Sequence, residues 1–216
     1  MDGVLRGRIS FWAGACAAAA LTAGALIATT AEAAIGVGQA APNFEEIDSN
    51  GVTHSLSDFA GKTLILEWTN HGCPFVQKHY SGAEDGNMQT LQAAVADDPD
   101  TVWVSVISSA EGKQGYVSPA EANELTNSRG AAPDAVLLDV DGSMGRAFDA
   151  KTTPHMYVIT PDGAVAYHGA IDSKKSTDPS DIPESTNYLT AALTALDAGQ
   201  APDPAATMPY GCSVKY

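Results

Sequence analysis

Two apolar runs constrain the fold of this 216-residue chain more than anything else in it. Residues 63–69 read Thr-Leu-Ile-Leu-Glu-Trp-Thr, and residues 101–107 read Thr-Val-Trp-Val-Ser-Val-Ile. Both are almost continuously apolar, so each is expected as a strand covered on both faces. A helical pattern begins at Cys73-Pro74 and runs to about Val95, with Val76, Tyr80, Met88, Leu91 and Val95 as its apolar positions. Gly82-Ala83-Glu84-Asp85-Gly86 interrupts it and is expected to split it in two. Strand, helix, strand over this length is a crossover between parallel strands.

The remaining segments extend that unit. Ser49-Asn50-Gly51 between residues 45–48 and 52–54 is a hairpin signal. Residues 56–60 read as a short helical turn stopped by Gly61-Lys62. Ser118-Pro119-Ala120-Glu121 is a helix start, with a Ser cap, Pro in first position and an acid in third, and that helix should end near Arg129-Gly130. A short strand follows at 135–139 and a short helix at 142–148. Strands at 155–160 and 164–168 are joined by Thr160-Pro161-Asp162-Gly163, a turn sequence. A last helix spans 183–198 and stops at Gly199. The order gives one α/β domain with a mixed sheet flanked by helices, an N-terminal hairpin and an extended C-terminal tail.

Residues 1–33 read as a signal peptide. Arg6 and Arg8 precede a charge-free Ala- and Leu-rich run over 9–28, and Ala31-Glu32-Ala33 is a small-residue cleavage site. An uncleaved membrane anchor is the alternative, but the run is weakly hydrophobic for a span. Cys16 has apolar sequence after it, whereas a lipidated cysteine would end the run. The domain is therefore expected over 34–198, with a tail over 199–216 carrying Cys212, in a periplasmic or secreted protein free of the membrane. Export implies an oxidising compartment, where a pair of thiols persists as a disulfide. Two cysteines then remain, Cys73 and Cys212. Cleavage removes two bases and two acids, which leaves 9 against 24 and a net charge of −15. So acidic a chain argues against nucleic acid and anionic lipid as partners.

Four features in chain order carry a family resemblance. They are Ala41-Pro42-Asn43-Phe44 with its following hairpin and Leu56-Ser57-Asp58-Phe59-Ala60-Gly61-Lys62; Cys73-Pro74 at a strand-to-helix junction; Thr152-Thr153-Pro154 before a strand; and the tail Gly211-Cys212-Ser213-Val214-Lys215. Over about residues 38–216 the chain resembles the redoxin and peroxiredoxin-like proteins of the thioredoxin fold. The resemblance implies a thioredoxin-like domain, a reactive Cys73, and a cis Pro154 lying against it. It also implies a thiol, disulfide or peroxide substrate, and a protein electron donor as a candidate partner. The departures are specific. Cys73-Pro74-Phe75-Val76 lacks the second cysteine of Cys-x-x-Cys, and Leu66 and Asn70 stand where peroxiredoxins carry Pro and Thr. A thiol redox role transfers better than any named substrate, and peroxide stays one of the candidates.

Each candidate residue has a bland counterpart. Cys73 at a helix start has the surroundings that favour thiolate, whereas a lone buried thiol is inert. His71, two residues upstream, would lower the Cys73 pKa further when protonated, and Asn70 and His71 are candidate orientation or proton groups. Glu67 occupies the offset of the carboxylate that thioredoxins bury, and would exchange protons with a thiol if buried; otherwise it is a strand-end acid facing solvent. Cys212 is a candidate resolving cysteine for an oxidised Cys73, reached by a flexible Pro/Gly arm, or else half of a static disulfide. No bound cofactor is required. A copper or zinc module would draw on Cys73, Cys212, His71, His79 and His155, although no standard metal spacing is complete. A non-catalytic binding domain with an inert disulfide is the remaining reading.

Overall fold

The structure, a computed structural model, describes residues 1–3, 35–82 and 86–216. The leader and its cleavage site therefore lie outside the described residues, apart from the first three. From residue 35 on, the chain forms a five-stranded mixed sheet in the order β5-β4-β3-β7-β8. Its strands are β3 (Thr63–Trp68), β4 (Thr101–Ile107), β5 (Ala135–Leu138), β7 (His155–Ile159) and β8 (Val165–Gly169). β3 pairs parallel with β4, and β4 with β5, as the crossover pattern requires; β7 runs antiparallel to both β3 and β8.

The two apolar runs fold as expected because both faces of the sheet are covered. Leu64, Leu66 and Trp68 point to one side and pack with Val104, Leu137, Phe148 and Tyr157. Ile65 points to the other side and packs with Cys73, Val76, Met88, Trp103 and Leu189. That second face is roofed by α1 (Pro74–Tyr80), α2 (Asn87–Ala96) and α5 (Tyr188–Asp197). The break between α1 and α2 falls across the Gly-flanked segment. α3 (Pro119–Ser128) starts on the expected capping box, in which Ser118 and Glu121 bond each other's backbone N–H groups. α4 (Ser143–Ala147) follows β5. The N-terminal hairpin is β1 (Glu45–Ile47) with β2 (Thr53–Ser55), followed by a 3-10 turn over Leu56–Phe59.

Two expectations need correction. The last helix does not begin at Pro183. Residues 183–187 instead run beside 172–173, where Ser173 N–H bonds Thr186 O and Thr186 N–H bonds Ser173 Oγ. Asn187 then caps α5 by accepting from Thr190 N–H. Nor is the C-terminal segment a loose arm. β9 (Cys212–Ser213) pairs antiparallel with β6 (Thr152–Thr153), in register Thr153 with Cys212. Val214 N–H bonds Lys151 O, Ala110 N–H bonds Lys215 O, and the Tyr216 hydroxyl bonds Ala150 O. Backbone pairing and the Tyr216 anchor outweigh the Pro and Gly content that suggested mobility.

Candidate redox site

The site forms where β3 ends. Asn70, His71 and Gly72 make the turn, and Cys73 caps α1 with extended backbone while Pro74 takes the first helical position. Pro suits that position because it has no N–H to leave unpaired. Asn70 fixes the turn. Its Oδ1 accepts from Gly72 N–H at 3.0 Å and its amide exchanges bonds with the Gln114 side chain at 3.0 and 3.2 Å. This makes Asn70 a brace between the Cys73 loop and the loop after β4.

Cys73 is fully buried, and its thiol donates to Thr153 O at 3.1 Å. The Thr153–Pro154 peptide bond is cis. Cys212 arrives from the opposite strand of the β6–β9 pair, level with Thr153, and packs against the buried cluster that contains Cys73. Both cysteines are free thiols. Burial pushes the Cys73 pKa up, but hydrogen bonds from the Cys212 thiol, Cys212 N–H and Val76 N–H outweigh it and leave Cys73 below its ordinary value. Cys212 moves the other way, pushed up to about 11 by burial and by its bond to Cys73. The arrangement makes Cys73 the more acidic of the two thiols and the half-buried Cys212 the less acidic.

The approach of the tail depends on Gly211. Its φ is 141°, a conformation that side chains rarely adopt, and a Cβ there would sit 1.9 Å from Thr153 O. One residue earlier, Tyr210 is buried against the Phe75 ring, and its hydroxyl donates to Asp172. Asp172 also accepts from Lys78 Nζ at 2.9 Å, and both side chains are almost wholly excluded from solvent. Tyr210 and the Asp172–Lys78 pair therefore tie the tail to α1, the helix that Cys73 caps.

Glu67 is fully buried. It accepts from the Tyr80 hydroxyl at 2.8 and 3.0 Å, Trp103 Nε1 at 3.1 Å and Ser105 Oγ at 3.2 Å. Burial raises its pKa; the Arg129 charge and these donors offset only part of that. Its partners are Tyr80, Trp103 and Ser105, and neither sulfur is among them. His71 is held toward the neutral form, chiefly by burial and then by Arg129, so an imidazolium assisting Cys73 is not what the surroundings favour.

The proposed metal donors do not converge. His79 turns toward Asp172 and bonds Asn87, and burial lowers its pKa to about 4. His155 lies just after Pro154, accepts from Lys151 N–H at 3.3 Å, and packs on Tyr157 on the opposite face of the sheet from Cys73. Among the described residues, the one group of three or more such side chains close enough to share an ion is Glu46, Asp139 and Asp141. Of the five residues named from the sequence for a metal, only Cys73 and Cys212 meet.

Sequence reasoning missed Thr153, Tyr210, Asp172, Lys78 and Arg129. One signal was present. Tyr210, Cys212, Val214 and Tyr216 alternate with polar or small residues, which is the two-residue period of a strand.

A mixed sheet covered by helices, with a helix-start thiol held against the carbonyl before a cis proline, is a thioredoxin-like fold. The redoxin family model matches residues 36–185, and the chain belongs to that family. An uncharacterized conserved protein from Geobacillus kaustophilus is similar in structure, with a TM-score of 0.71 and 24% identity over 84% of this chain and 93% of that one. A hypothetical protein from Sinorhizobium meliloti aligns with a TM-score of 0.68 and 20% identity over 85% and 96%. The thioredoxin domain of a thiol-disulfide oxidoreductase from Bacteroides vulgatus aligns at 0.47, with 18% identity over 61% and 86%. No curated protein matches the sequence. No helix among the described residues is long and apolar enough to cross a membrane.

Proposed function

We propose that the protein is an exported thiol–disulfide oxidoreductase in which Cys73 is the nucleophile and Cys212 the resolving cysteine. One observation carries this reading: two free thiols brought to one place on either side of Thr153, their pKa values driven apart, one buried at a helix start and one half-buried. The Cys73 thiolate attacks a substrate disulfide, forming a mixed disulfide and releasing one substrate thiolate. Cys212 then attacks the Cys73 sulfur. The Cys73–Cys212 bond forms, the mixed disulfide breaks, and the second substrate thiolate leaves. The protein loses two electrons and the substrate gains them; the two departing thiolates take up the two thiol protons. Pro154 shapes the groove over Cys73, and Asn70 holds its loop.

A disulfide made only for stability is the competitor, since closing so long a loop stabilises a fold by roughly 4–5 kcal/mol in the chain-entropy model. Two measurements separate the readings. Cys212→Ser should accumulate a Cys73 mixed disulfide visible by mass spectrometry, while Cys73→Ser should form none. A redox titration of the mature chain should place the couple above about −300 mV; a potential well below that marks a structural bond and removes the resolving step.

A further inference from the structure

Beside the Cys73 turn lies a pocket of about 330 Å³ between α1 and the C-terminal end of α3. His71, Val76, Gln77 and Tyr80 line it from the Cys73 turn and α1, and Leu125, Ser128 and Arg129 from the end of α3. No carboxylate lines it among the described residues. The Arg129 guanidinium lies over the Tyr80 ring, 3.9 Å from the centroid, and the Tyr80 hydroxyl is in turn fixed by Glu67. The cation is thus positioned by stacking, which leaves its N–H fork free. Arg129 makes no ion pair among the described residues, in a chain with 26 acids. Arg129 Nε and His71 Nδ1 are both shielded from solvent and have no hydrogen-bond partner. Both residues line the cavity beside the Cys73 turn, and among the described residues neither nitrogen finds an acceptor, so an anionic group in the cavity would supply a counter-charge that the described residues do not.

We propose that this pocket is the substrate-recognition subsite of the redox centre, and that it takes the carboxylate of a small acidic disulfide or thiol. The inference rests on the thiol–disulfide reading above. Val76 links the two sites: it lines the pocket, and its backbone N–H bonds Cys73 O at 2.9 Å. A carboxylate in the fork of Arg129 leaves the disulfide bond of the same molecule on the Cys73 side. The electron balance is that of the exchange already given, with the acidic disulfide as the two-electron acceptor.

Net charge makes the test sharp. A chain at −15 attracts cations and repels anions at long range, so an unaided site would react with cationic disulfides first. The experiment measures the rate at which the reduced mature protein is oxidised by three disulfides of similar size: dithiodipropionate, bis(2-hydroxyethyl) disulfide and cystamine. The expected result is that dithiodipropionate exceeds the hydroxyethyl compound by about tenfold, the worth of one charge-assisted bond at a partly open site. In Arg129→Gln that ratio should fall to near one, and Arg129→Lys, which keeps charge but not the fork, should restore only part of it. Cystamine as the fastest substrate, or an unchanged ratio in Arg129→Gln, overturns the subsite. If no disulfide oxidises the wild-type protein, the redox reading fails instead. The subsite is then decided by calorimetry of the redox-dead Cys73→Ser chain with glutarate: binding lost in Arg129→Gln supports it, and absence of binding overturns it.

Discussion

Cys73 and Cys212 meet at one point but are brought there by opposite means. Cys73 is placed locally: a buried strand ends, a four-residue turn follows, and a proline starts the helix. Cys212 is placed by groups far away in sequence, through the β6–β9 pairing, the fit of Gly211 under Thr153, and the Tyr210–Asp172–Lys78 chain to α1. The chemistry divides the same way. The locally built sulfur is the more acidic, and the remotely built one supplies the donors that make it so. A resolving cysteine need not be near its nucleophile in the chain if the tail that carries it is anchored on both sides.

Breaking the remote anchor should have the largest effect. Lys78 and Asp172 are almost fully buried, so Asp172→Asn leaves an ammonium group without its counter-charge. Removing one partner of such a pair costs about 3–5 kcal/mol. Urea unfolding should show a loss in that range; a loss no larger than about 1 kcal/mol, typical of exposed pairs, would mean the link does not anchor the tail.

Gly211→Ala sharpens the comparison by moving only one sulfur. A Cβ at 1.9 Å from Thr153 O forces β9 away from β6, and overpacking of this kind costs about 1–3 kcal/mol. The Cys73 loop contains none of the displaced atoms. The variant should therefore form the mixed disulfide at Cys73 and resolve it slowly, seen as an adduct that persists in mass spectra. Resolution at the wild-type rate would show that the strand pairing is dispensable for Cys212.

This division also explains what could be read in the sequence. The strands at 63–69 and 101–107, the capping box at Ser118, and Cys73-Pro74 at a junction are local signals, and the structure reproduces them. The cis Pro154 was expected from family resemblance, not from any pattern in residues 152–154. The tail was misread because Pro and Gly content speaks for mobility, whereas its fixation comes from bonds to residues 150–153 and 172. Arg129 was read only as a helix end, because its place over Tyr80 depends on how α3 packs beside α1.

Cys212→Ala tests how far the remote half governs the local one. It removes the thiol donor to Cys73 and keeps the backbone N–H. Burial then has less to oppose it, so the Cys73 pKa should rise. The midpoint of alkylation rate against pH reports this directly. An unmoved midpoint would assign the acidity of Cys73 to its own turn and helix alone.

The smallest effect is expected at Glu67, which lies beneath the Cys73 side and touches neither sulfur through the bonds it makes. Its pKa is raised by burial, so the folded protein holds a proton there that the unfolded chain releases above its ordinary value of 4.5. A group of this kind contributes stability that is fully present below the unfolded pKa and is lost as pH rises toward the folded one. Glu67→Gln removes the ionisation but also leaves one fewer acceptor oxygen for Tyr80, Trp103 and Ser105, which lowers stability by a constant amount. The informative quantity is therefore the slope, not the offset. The stability of wild type minus that of the variant should fall with rising pH above 4.5, by no more than about 1.4 kcal/mol per pH unit, the limit for one proton. Urea unfolding of both proteins at several pH values measures it. A flat difference would mean that Arg129 and the three donors hold Glu67 as a carboxylate, and that the face beneath Cys73 is charged where burial argues that it is neutral.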